Sequence, residues 1–175
     1  MAETMIGRGP GGMTISRAEL GRLVALLVPL ALVGAAIGSQ YFASLYPCEM
    51  CYWQRYAHFA AIPLALLAFT APAPAPRARA FTLLAALAIA VSGAIGVYHA
   101  GVELGVFEGF TTCTTTAKAL STEELLKQLM KVPLIRCDQV QWAFLGISMA
   151  GWNAIVSLSA AAAIAWLTLS ARRRG

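Results

Sequence analysis

Two cysteines, Cys48 and Cys51, stand in a C-x-x-C spacing, and two more, Cys113 and Cys137, follow far downstream. Four cysteines could hold zinc, but the second pair lacks the short ligand spacing such sites use. Haem attachment requires histidine directly after the second cysteine, and Tyr52 stands there instead. Disulfide chemistry remains, either structural or reactive. A bridge across the two residues between Cys48 and Cys51 gains little closure entropy and tends to be strained. Strained, exposed bridges are the labile or catalytic ones. Cys51 is expected at the start of a helix, where unpaired N–H groups and the helix dipole favour a thiolate. Arg55 follows four residues later, one turn along the same face, where its charge stabilises an anion. The competing role for Arg55 is an interfacial anchor whose guanidinium reaches the headgroups. His58 extends that face at i+7, where a polar contact inside a bundle is the expected role.

The elements that must hold these groups are membrane helices. Of 175 residues, 59% are apolar and 12% charged, against about 25% charged in soluble domains. No charge occurs from Leu23 to Ala43, between Arg55 and Arg77, from Ala80 to Gly101, or from Gln139 to Ala171. A span needs about 20 mainly apolar residues, so an all-α bundle of four transmembrane helices is expected. They run over about 23–43, 52–70, 80–99 and 142–169. Residues 1–20 form a Gly-rich, poorly ordered cytoplasmic segment, 21–170 the redox domain, and 171–175 a basic tail. Arg17 and Arg22 before an apolar run are reminiscent of a signal peptide. That run, however, is longer than usual and continues past Ala35, Ala36 and Gly38, so it is expected to be retained.

Arg8, Arg17, Arg22, Arg77, Arg79 and Arg172–Arg174 all fall on one side, which the positive-inside rule makes cytoplasmic. The net charge of +5 is thereby topological and gives no reason to invoke nucleic acid. All four cysteines fall on the opposite side, in segments of about 44–52 and 101–141. An oxidising compartment there permits disulfides, and two pairs are implied, Cys48–Cys51 and Cys113–Cys137. The second is a reasonable structural closure of the long loop. Within that loop, Ser121 and Glu124 have capping-box spacing and open a short amphipathic helix, lying on the membrane surface or on the bundle top. Gly34 and Gly38 make a small-xxx-small step, a weak packing motif on its own. Asn153 is expected to be an interhelical hydrogen-bond donor.

The run Pro47-Cys48-Glu49-Met50-Cys51-Tyr52-Trp53-Gln54-Arg55 and the later run from Cys137 through Gln141-Trp142-Ala143-Phe144-Leu145-Gly146 to Ala150 resemble the DsbB family of bacterial disulfide-forming membrane proteins. The segment Tyr98–Glu103 is also similar, and the resemblance extends over about residues 20–170. It implies an inner-membrane thiol:quinone oxidoreductase that reoxidises a periplasmic DsbA-type oxidase of thioredoxin fold. By that resemblance the partner attacks the Cys113–Cys137 disulfide at Cys113, and the released Cys137 attacks Cys48. Cys51 is then freed to pass electrons to ubiquinone or menaquinone beside Arg55, with His99 as a further quinone contact. The alternative for His99 is an interfacial polar residue ending the third helix. Two other functions compete. A vitamin K epoxide reductase-like protein places its loop pair before the quinone-side C-x-x-C, the reverse of the order here. A small transporter with structural disulfides predicts ionisable residues deep in its helices. Apart from Arg55 and the two histidines, all expected near helix ends or in the outer half, none occurs.

Overall fold

The computed structural model describes residues 15–109 and 135–172. Four helices, α1 (Arg17–Phe42), α2 (Glu49–Ala68), α3 (Pro76–Glu103) and α4 (Met149–Arg172), form a bundle, with a two-stranded hairpin ahead of α4. In it β1 (Ala143–Phe144) pairs antiparallel with β2 (Ile147–Ser148). α2 and α4 each pack against both α1 and α3, and α1 meets α3 only slightly across the bundle.

Helix ends follow local chemistry more closely than hydropathy. α1 opens inside the segment expected to lack structure, because Ser16 and Glu19 form a reciprocal capping box. α3 starts at Pro76, four residues before the charge-free run, since proline is favoured at a first helical position where no N–H is needed. At its other end α3 continues to Glu103, one turn past the expected His99. α4 starts seven residues later than expected. Leu145 and Gly146 have φ of 52° and 77°, the left-handed pair that a two-residue hairpin turn demands. Ser148 then caps α4 by accepting the N–H of Gly151 at 3.1 Å. The amphipathic helix expected after Ser121 lies outside the described residues, as does Cys113.

The core is built from small side chains: Ala25, Ala61, Ala65, Ala85, Ala86 and Ala161 are buried around Ile89 and Ile164. Larger apolar residues, among them Leu27, Leu66, Leu87, Trp166 and Leu169, face outward. This inside-out arrangement suits a lipid solvent, where close backbone approach rather than water exclusion holds helices together. α1, α3 and the Met149–Ala171 segment of α4 are long and apolar enough to cross a membrane. The protein is therefore a helical membrane protein. A tight approach between helices is not found at Gly34 or Gly38, where an added Cβ would meet nothing of another helix within 4 Å. One is found at Gly93 and Gly96, where a Cβ would sit 2.8 Å from Leu158 Cγ and 3.0 Å from Ala150 O, so α3 lies directly on α4.

Candidate functional site

Pro47 keeps the chain extended ahead of α2, and Cys48 becomes the N-cap, with φ of −77° and ψ of 174°. Its sulfur accepts the N–H of Cys51 at 3.4 Å, as a serine oxygen would. The sequence pointed to Cys51 as the sulfur at the helix end; the helix instead begins three residues earlier, and Cys48 takes that place. Cys51 sits in the first turn with its sulfur 3.0 Å from that of Cys48, which donates to it. Cys48 is buried with Cys137, Met50 and Val102, and Cys51 packs against this cluster. Hydrogen bonding with Cys137, then with Cys51, together with burial, pushes the Cys48 thiol well above its ordinary range. Negative charge in the Cys48–Cys51 pair is thereby directed to Cys51.

His99 approaches from α3, one turn before its end, with Nε2 3.5 Å from Cys48 Sγ. Glu103, one turn further along α3, places Oε1 3.9 Å from the same nitrogen and accepts the Ser148 hydroxyl at its other oxygen. On the far side His99 Nδ1 lies 2.9 Å from Gln54 Nε2. Gln54 continues the chain to Asn153 of α4, and Asn153 reaches Ser92 of α3 and His58 of α2. Asn153 and His58 thus make the interhelical contacts expected of them. Gln54, Ser92, His58 and His99 are all buried. Burying so many polar groups is tolerable because most of their polar atoms pair within this network, His58 Nδ1 being the exception.

Arg55 projects from α2 toward α1. Its guanidinium donates to Gln40 Oε1 at 2.8 Å and to Ala36 O at 2.9 Å, and lies 5.6 Å from the Tyr52 ring. A cavity of about 410 Å³ opens beneath the cysteines. Leu32, Val33, Trp142 and Phe144 give it apolar walls, and Cys51, Arg55 and His99 bring polar groups to it. A few convergent polar groups on an apolar surface are the usual make-up of a small-molecule site. The donor set fits a flat, apolar ring with carbonyl oxygens.

Of the residues the sequence singled out, the structure gathers Cys48, Cys51, Cys137 and His99 around one point and puts Arg55 on the same cavity. Gln54, Glu103 and Ser92 were missed. Gln54 stands inside the C-x-x-C-x-x-Q-R run, but a single glutamine near a helix end carries no sign of its partners. Trp142, Phe144 and Trp152 also line the cavity, held there because Trp152 Nε1 donates to Phe144 O at 3.1 Å across the hairpin.

The family model for disulfide bond formation protein DsbB matches residues 18–167. Among curated relatives, a disulfide bond formation protein B from Shewanella amazonensis is 33% identical over 147 residues, covering 81% of this chain and 83% of its own length. One from Aromatoleum aromaticum is 32% identical over 150 residues, covering 82% and 87%. One from Shewanella sp. (strain MR-4) is 32% identical over 132 residues, covering 72% and 73%. No solved structure matches the chain.

Proposed function

From the chain's membership of the DsbB family of disulfide bond formation proteins, we propose that it is a thiol:quinone oxidoreductase of the bacterial inner membrane. On this reading α2 is the fourth span, the arginine-rich end is cytoplasmic, and the cysteines face the periplasm. A DsbA-type partner with a reduced thiol attacks the Cys113–Cys137 disulfide at Cys113, and Cys137 leaves as a thiolate. Cys137 attacks Cys48, forming the Cys48–Cys137 bond and breaking Cys48–Cys51, so that Cys51 leaves as the thiolate. The observation that carries the proposal is the position of Cys48, which touches Cys137 and Cys51 at once above an apolar cavity. Exchange requires three sulfurs to meet at one atom, and Cys48 is that atom.

Ubiquinone or menaquinone bound in the cavity would supply the two-electron acceptor. Arg55 would hold its ring by a charge-assisted hydrogen bond, and His99 would be a further contact at the wall of the site, with its Nε2 facing the sulfurs. Leu32, Val33, Trp142 and Phe144 would exclude water from the leaving thiolate. The test combines purified protein, a reduced DsbA-type partner and quinone, and follows quinone reduction optically. Reduction is expected, with loss in Cys51→Ser. Absence of reduction, or full activity in Cys51→Ser, overturns the proposal.

A further inference from the structure

The hydrogen bonds linking the cysteine pair to α4 run in one direction, and two backbone carbonyls set it. A carbonyl oxygen accepts and cannot donate. Asn153 lies 3.2 Å from Ser92 O, so its amide nitrogen faces that oxygen. The Ser92 hydroxyl gives its own proton to Gln54 O at 3.0 Å and so accepts from Asn153 at 3.1 Å. Asn153 Nδ2 also donates to Gln54 Oε1 at 2.8 Å. That turns the Gln54 amide nitrogen toward Met50 O at 3.2 Å and His99 Nδ1 at 2.9 Å. Facing an N–H, Nδ1 of neutral imidazole is the acceptor, and the proton resides on Nε2. Nε2 is the nitrogen that faces the sulfurs.

We propose that Gln54, clamped by Asn153, is a positioning residue that holds His99 in its Nε2–H form, so that this N–H donates to the thiolate of the Cys48–Cys51 pair. The inference rests on the exchange reading above for its purpose, because exchange at Cys48 needs the departing Cys51 sulfur stabilised as an anion. In apolar surroundings a donor aimed at sulfur favours thiolate over thiol. Were the imidazole to carry its proton on Nδ1, it would confront the Gln54 N–H and turn a lone pair toward the anion, a double mismatch. The same assignment bears on metals. Cys48, Cys51 and His99 bring their ligand atoms within 4.8 Å of one another, but an Nε2–H offers no lone pair to a cation.

The charged and titratable groups around His99, among the described residues, come from each neighbouring element. α2 supplies Cys48 and Cys51, α3 supplies Glu103, and the segment before β1 supplies Cys137. α4 supplies uncharged Asn153 through Gln54. The Arg55 guanidinium is engaged by Gln40 and Ala36 of α1.

The test needs neither partner nor quinone. Fully reduced protein is treated with iodoacetamide across a pH series, and alkylation of Cys48 and Cys51 is followed by peptide-resolved mass spectrometry. Gln54→Leu is expected to slow alkylation about tenfold at neutral pH and to move the profile up by about one pH unit. His99→Ala is expected to show the same loss, and Gln54→Leu to add nothing in that background. Gln54→Glu accepts from Nδ1–H, so the Nε2 donor survives only on imidazolium. Its loss is expected only above the pH at which the imidazolium deprotonates. An unchanged profile in Gln54→Leu, or a further loss on top of His99→Ala, overturns the proposal. Should Gln54→Leu not fold, Asn153→Ala carries the test, with a smaller loss that must likewise vanish in the His99→Ala background. Failure of quinone reduction in the earlier assay would leave this result standing.

Discussion

Around Ala61, Ala65, Ala85, Ala86 and Ala161 the helices touch through methyl groups; around Gln54, Ser92, His99 and Asn153 they touch through hydrogen bonds. The first region needs only shape. Small side chains let the backbones approach, and dispersion acts without direction. The second needs both shape and polarity, since each donor there must face acceptors and reversing the Gln54 amide would set its N–H against that of Asn153. Three of the helices brought together by the first region, α2, α3 and α4, are thus held in one rotational setting by the second. That setting aims His99 at the sulfurs.

The comparison can be broken from its chemical side first. Cys51→Ser is expected to abolish quinone reduction while leaving the fold intact, because the change spares both packing regions; a lowered melting temperature would show that the cysteine pair is also structural. In the apolar region, Ile89→Ala is expected to destabilise by about 2–4 kcal/mol through the cavity it leaves. Thermal unfolding in detergent measures this, and the alkylation profile of Cys51 should stay put. A shifted profile would mean that the two regions are coupled. Arg55→Ala is expected to raise the quinone KM about tenfold, as loss of one charge-assisted hydrogen bond would. Exchange between Cys137 and Cys48, followed by trapping mixed disulfides, should persist. An unchanged KM would return Arg55 to an anchor between α2 and α1.

Two smaller effects sharpen the boundary of the polar region. Leu145 holds φ of 52° in the hairpin turn, a conformation costing a leucine about 1–2 kcal/mol. Leu145→Asn should raise the melting temperature slightly with activity unchanged. A loss of activity would make the leucine side chain part of the site. At the exposed edge, Arg136 pairs with Asp138 across Cys137, with Nε 2.9 Å from Oδ1. That hydrogen bond holds the Asp138 carboxyl below its usual range. Any stability it contributes is present above the ordinary carboxylate pKa and lost as pH falls through the lowered one. Exposed pairs contribute little, so Asp138→Asn is expected to leave the melting temperature at neutral pH unchanged.

Much of the site was legible because its chemistry is local. C-x-x-C followed by arginine at i+4 puts a thiol and a cation on one helix face whatever surrounds them. Helix ends were less legible. The segment Trp142–Ser148 is as apolar as a membrane helix, and only Gly146 and Ser148 betray a turn and a cap within it. Gln54 was opaque for another reason: its meaning depends on Ser92, His99 and Asn153, which are 38, 45 and 99 residues away.

The sequence alone determined that the chain has charge-free helical stretches long enough to cross a membrane and that Arg55 lies a turn beyond Cys51, and it led to the expectation that the four cysteines share one side. Hydropathy, charge placement and helical periodicity are properties of short segments, so a linear reading reaches them. Only the tertiary structure decided that Cys48 caps the helix, that Cys137 packs on it, and that His99 presents Nε2 to the sulfurs. Those outcomes depend on the rotation of each helix against its neighbours. That rotation is set where Gly93 and Gly96 let α3 lie against α4 and the buried amides find their partners.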